Sequence, residues 1–123
     1  SIAVNANDDV LLGYSSFSLT QYASGSYSFR AASDPPNTMR ADALLVAGEQ
    51  MYFKTFTGTR NRWGDFSNTV VDPVNDTDFW TIQEYSASPN FPNGNSRWGT
   101  WWGKITSQGA LPVKKRQGQL ISD

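Results

Sequence analysis

Arg97-Trp98-Gly99-Thr100-Trp101-Trp102-Gly103-Lys104-Ile105 decides the fold class. Successive side chains of an extended strand point to opposite faces, so Trp98, Thr100, Trp102 and Lys104 share one face while Trp101 and Ile105 share the other. Trp on both sides of one short segment fits a strand covered on both faces. Working backwards, Phe79–Tyr85 alternates in the same way, with Trp80, Ile82 and Glu84 together on one side. A Pro/Asn/Gly loop over Ser86–Ser96 joins these two strands. Before them, Phe66–Val71 is a short β-branched run that ends at Asp72-Pro73, and Val74–Thr77 is a turn rich in Asn and Asp.

The first half repeats this rhythm less regularly. Ile2–Val4, the cluster Asn5-Ala6-Asn7-Asp8-Asp9 and Val10–Ser16 read as a hairpin with a loop of about five residues. Val10, Leu12 and Tyr14 share one face of the second strand, and Gly13 on the other face allows a neighbouring backbone to approach closely. Ser26–Ala32 places Tyr27, Phe29 and Ala31 opposite Ser28 and Arg30. After the break at Ser33–Asn37, Met39–Val46 reads as strand, although Ala41, Leu44 and Leu45 also fit a helical stripe; Gly48 leaves too little length for a stable helix. Gln50–Phe56 reads as a further strand, Met51 and Phe53 against Tyr52 and Lys54. Hairpins and turns at spacings near ten residues predict an all-β meander.

Composition narrows the chemistry. The 123 residues include no cysteine and no histidine. That removes disulfides, thiol nucleophiles, His–metal ligation and the usual neutral-pH general base. Ten Lys and Arg against 11 Asp and Glu leave a formal charge of −1, so nucleic acid is not an expected partner. No apolar run approaches the roughly 20 residues of a membrane helix, and no membrane partner is expected. Ser, Thr and Asn total 14, 10 and 9, and charged residues make up only 17%, a surface that often accompanies secretion.

Three segments together resemble a known family. Arg62-Trp63-Gly64-Asp65-Phe66-Ser67-Asn68-Thr69-Val70-Val71-Asp72-Pro73, then Phe79-Trp80-Thr81-Ile82-Gln83-Glu84-Tyr85, then Arg97–Ile105 resemble consecutive elements of bacterial secreted proteins with sialidase-like (BNR-type) β-propellers. Ser1–Ser16 is similar to the first hairpin of the preceding blade. The resemblance implies about two four-stranded antiparallel blades, the first over about 1–57 and the second over about 58–107, with 108–123 a tail or closing strand. It implies an extracellular or cell-surface location. In such a fold blades pack face to face, both faces of each strand are largely buried, and glycines 64, 99 and 103 let indole rings lie over backbone. At about 40–50 residues per blade the chain is too short to close a ring. Its implied partners are therefore the remainder of a longer propeller, which is favoured, or further copies of itself.

Candidate sites follow from residue chemistry. Arg62, Trp63 and Asp65 flank the corner where the resemblance puts a propeller's axial mouth, and they are the candidate ligand-binding residues; a structural salt bridge, or a carboxylate accepting backbone N–H bonds at the corner, is the stronger reading. Asp72, Asn75, Asp76 and Asp78 form an oxygen-rich loop of a kind that holds Ca²⁺, against which structural Asx-turns are the stronger reading. Indole rings can stack on sugars, so a glycan is a candidate ligand, although core packing is preferred for at least three of the five Trp. Glu84 and Tyr85 supply residue types a sialidase-like hydrolase uses, but as neighbours on a strand they face opposite ways. No catalytic residue is assigned. The expected role is structural or binding, with a glycoside hydrolase and a self-assembling interaction module as alternatives.

Overall fold

Seven strands make up the computed structural model, which describes residues 1–55, 57–88 and 96–106. β1 (Ile2–Val4), β2 (Val10–Ser18), β3 (Gln21–Arg30) and β4 (Ala43–Val46) form one antiparallel sheet in chain order. β5 (Asn68–Val71), β6 (Phe79–Ala87) and β7 (Arg97–Ile105) form a second, again in chain order. No helix occurs among the described residues, and the chain is all-β.

Short polar side chains shape the connections. The loop Asn5–Asp9 joins β1 to β2, with Val4 opposite Val10. Asn5 Oδ1 accepts the N–H groups of Asn7 and Asp9, each at 2.9 Å. Asp8 there takes φ of 59°, a left-handed conformation that Asp and Asn tolerate better than bulkier residues. Asp34 closes the end of β3 in a similar way, accepting the Ala31 N–H at 2.9 Å and pairing with Arg40 at 2.7 Å.

The two sheets stack face to face, β1 and β2 against β5, β2 and β3 against β6, and β4 against β7. Alternation puts Leu11, Tyr27, Phe29 and Leu45 of one sheet against Phe79 and Ile105 of the other, with Ala3, Ala31, Ala43, Val71 and Trp101 packed around them. Phe29 and Phe79 meet edge to face at 6.3 Å between ring centres, the geometry their quadrupoles favour. Each such buried side chain contributes about 1.5–3 kcal/mol. Beside this apolar core lies a polar layer. Thr69 Oγ1 and Thr81 Oγ1 are 2.9 Å apart, Gln83 Nε2 donates to Thr81 Oγ1 at 2.9 Å, and Ser1 Oγ bonds Thr69 at 2.9 Å. Gly13 sits against them. A Cβ there would collide with Gln83 Nε2 and lie 2.6 Å from Thr81 Oγ1, so the close approach at Gly13 is to polar side chains of the facing sheet and not to the neighbouring backbone that was expected.

Several expectations need correction. Gln50–Thr55 is not a strand: the Phe53 N–H donates to Ser96 Oγ at 2.8 Å and the Lys54 N–H to Asn61 Oδ1 at 2.8 Å, so side chains take the bonds a neighbouring strand would have received. Strand structure in Met39–Val46 is confined to β4, and β5 begins at Asn68 rather than Phe66. Among the described residues the second sheet has three strands. The outer faces are only partly covered: Ile2, Val4 and Leu44 on one sheet and Val70, Ile82, Trp98 and Trp102 on the other are exposed. A Cβ at three of the glycines would meet the facing side chains. Gly64 abuts the Glu84 carboxyl, Gly99 the Tyr85 ring and Gly103 a Leu45 methyl. The tail 108–123, with Lys114-Lys115-Arg116, lies outside the described residues, as do Phe56 and the tip of the loop between β6 and β7.

Candidate functional site

Between β4 and β5 the chain crosses the end of both sheets. The Gly48 N–H donates to Ser24 Oγ at 2.9 Å, Gln50 Nε2 to the Ala87 carbonyl at 2.6 Å, and Trp63 Nε1 to Ser15 Oγ at 3.1 Å. Tyr52 packs edge-on against Trp63, ring centres 4.9 Å apart. Trp63 is thus half-buried and anchors the corner. Arg62 and Asp65 on either side point outward and pair at 3.3 Å with side chains 62% and 64% exposed. A pair so solvated is worth about 0–1 kcal/mol and does not fix the corner. The three candidate ligand residues are neighbours in space, but only Arg62 and Asp65 are presented to solvent.

Beneath this corner lies Glu84, buried at 4% exposure. The Phe66 N–H donates to its carboxylate, while Oε2 has no hydrogen-bond partner. Gly64 lies so close to the carboxyl that a side chain there would require Glu84 to shift. Burial pushes the Glu84 pKa up; the Phe66 N–H opposes this, and the Asp65 charge adds to the rise. Burial also raises the Tyr52 phenol, with the Glu84 charge contributing second. Tyr85, by contrast, packs on Gly99 and meets Trp101 edge-on at 6.3 Å, so Glu84 and Tyr85 have separate surroundings.

The acidic loop lies at the opposite end of β5, roughly 13 Å away along a four-residue strand. It is built from Asx-turns. Asp72 Oδ1 accepts the Val74 N–H at 2.9 Å, and Asn75 Oδ1 accepts those of Thr77 at 3.1 Å and Asp78 at 3.0 Å. Asp76 takes φ of 56°, and its carbonyl accepts the Ala6 N–H at 2.9 Å, tying this loop to the first hairpin. Lys104 from β7 reaches Asp72 at 2.8 Å and Asp78 at 2.9 Å, and Trp80 Nε1 adds a bond to Asp72 at 3.0 Å. The Lys104 hydrogen bond first, then the Val74 N–H, hold the Asp72 pKa at about 2. Of the four candidate calcium ligands, Asp72 and Asp78 meet at an ammonium and Asn75 bonds Asp78 at 2.8 Å. Among the described residues no three acidic, His or Cys side chains converge as a ligand set.

Lys104 and the burial of Glu84 were not legible from sequence motifs. Lys104 shares a strand face with Trp80 only once the register is known, since Trp80 stands opposite Lys104 across β6 and β7. Glu84 is buried by a connection rather than by a strand, which alternation does not reveal. The one available signal was Trp-Gly-Asp two residues before β5, where a glycine between a bulky aromatic and an acid marks a close approach. Comparison with family models, with curated proteins and with solved structures found no match to the chain.

Proposed function

We propose that the chain forms two neighbouring blades of a sialidase-like β-propeller, acting outside the cell or at its surface in a structural or binding role. The observation that carries this reading is the stacking, face to face, of two meander sheets that follow one another in the sequence, as consecutive blades do. The exposed apolar residues on both outer faces fit adjoining blades, from a longer chain or from further copies. The binding surface is the corner of Arg62, Trp63 and Asp65, with a glycan as its proposed ligand class. Calcium at Asp72, Asn75, Asp76 and Asp78 is the weaker proposal, since Lys104 already supplies positive charge between two of these groups.

A hydrolase reading draws on one observation, the raised carboxyl of Glu84 close enough to Tyr52 to influence its phenol. Gly64 closes over that carboxyl and leaves substrate no access, so the non-enzymatic role is preferred. Mass in solution is the deciding experiment. A monodisperse trimer, six blades in all, supports closure by copies, and association with the rest of a longer reading frame supports a segment. A heat-stable monomer would sink the blade reading. A glycan array with and without chelator tests binding, and hydrolysis of an aryl sialoside by this chain would overturn the non-enzymatic role.

A further inference from the structure

Positive charge is unevenly distributed in a chain of net charge −1. Between Glu49 and Asp65 the sequence contains no acidic residue, yet it contains Lys54, Arg60 and Arg62. Arg40 and Lys104 each pair with carboxylates at 2.9 Å or less. Arg60 has no ion-pair partner among the described residues, and Arg62 has only the long, solvated contact with Asp65. The backbone here is nevertheless tied down. The Gly58 N–H donates to the Thr55 carbonyl at 3.0 Å, the Arg62 N–H to the Lys54 carbonyl at 3.0 Å, and the Lys54 N–H to Asn61 Oδ1 at 2.8 Å. Beside these bonds lies an open cavity of about 510 Å³ lined by Thr55, Thr57, Gly58, Thr59, Arg60 and Arg62.

We propose that this cavity is an oxyanion site that takes a sulfate or phosphate ester group. Two guanidinium groups supply planar forks of N–H donors that match tetrahedral oxyanions bidentately, and guanidinium sheds water more readily than ammonium. Three threonine hydroxyls in the lining donate to the remaining oxygens or bond the organic part of the ester. The opening is larger than an inorganic ion needs, which leaves room for the organic part of an ester. Three cations are too few to hold a nucleic-acid backbone, which favours a single charged group over a polyphosphate strand. The inference deepens the binding role proposed for the Arg62 corner and rests on that corner being a binding surface.

Glucose 6-sulfate, glucose 6-phosphate and glucose, titrated into the ¹⁵N-labelled chain, test it. Both esters are expected to shift the backbone amides of 57–62 and the Nε signals of Arg60 and Arg62, and glucose is not; the tighter ester identifies the source. Arg60→Gln and Arg62→Gln should each weaken ester binding about tenfold, the loss expected for a charge-assisted hydrogen bond. Asp65→Asn should tighten it several-fold by releasing Arg62. Both arginines are exposed, and unchanged amide shifts in β2, β3 and β6 will show that the variants fold. Shifts of equal size with potassium chloride, or unaltered affinity in both arginine variants, overturn the proposal. Glucose-type glycans binding at Arg62–Asp65 without any response to the esters overturn it too, while leaving the broader binding role standing.

Discussion

Gly13→Ala tests how the two sheets fit together. The added methyl would lie 2.6 Å from Thr81 Oγ1 and 2.9 Å from Thr69 Oγ1, with Gln83 Nε2 nearer still. These atoms bond one another, so relief requires breaking the Gln83–Thr81 bond or forcing the sheets apart. Overpacking a tight interior costs about 1–3 kcal/mol. A buried amide stripped of its partner adds about 1–3 kcal/mol, and Gln83 Oε1 is already without one. The expected loss is about 3 kcal/mol, which at roughly 4 °C per kcal/mol lowers Tm by roughly 12 °C. Thermal unfolding followed by near-ultraviolet circular dichroism reads it directly. In a Gln83→Ala background the nearest atom is gone while the threonines remain, so part of the penalty should disappear, with a coupling of about 1–2 kcal/mol in the double-mutant cycle. An equal penalty in both backgrounds, or a loss under about 0.5 kcal/mol in the first, refutes the close-approach argument.

Three other outcomes follow from the charges and the core. The Glu84 pKa is raised in the folded chain, so its favourable contribution is present below the unfolded value of 4.5 and is lost as pH rises through the folded one. Glu84→Gln should therefore raise Tm at pH 8 and do little at pH 4; a shift independent of pH contradicts this. Asp72 lies at about 2 against 3.8 unfolded, so its contribution is complete above 3.8 and fades as pH falls toward 2. Lys104→Met should destabilise the chain at pH 7, and its stability curve should meet that of the parent near pH 2; curves that stay apart would assign the loss to packing. Phe79→Ala, which empties a fully buried site, should cost about 3–5 kcal/mol by chemical denaturation.

Alternation was a sound guide wherever a strand has one covered face. Trp80 and Ile82 against Phe79 and Thr81 divide as the period of two demands, whereas in β3 Ser26 and Ser28 are buried along with Tyr27 and Phe29. The Asn5 and Asp72 turns were readable because Asx side chains satisfy backbone N–H groups locally, without help from distant sequence. Gln50–Thr55 misled because its alternation is genuine while its hydrogen bonds go to Ser96 and Asn61, partners no local pattern reveals. At the candidate site the same division holds. Arg62, Trp63 and Asp65 were legible as a corner, but their opposed orientations depend on Ser15, far away in the chain. Lys104 and the buried Glu84 depend on register and on the crossing connection, and both emerge only in three dimensions.

The two outer faces of the stack are unlike each other. One carries Ile2, Val4 and Leu44 beside a row of serines, and the other carries Val70, Ile82, Trp98 and Trp102. Like surfaces meeting about a twofold axis would close a pair and stop. Unlike surfaces join head to tail, and every addition regenerates both ends. Head-to-tail association of copies through these faces therefore has two outcomes only, set by the rotation between successive copies. A rotation that divides a full turn closes a ring, and any other produces a filament of unlimited length. The chemistry of two faces thus makes one angle the difference between a finite particle and a fibre.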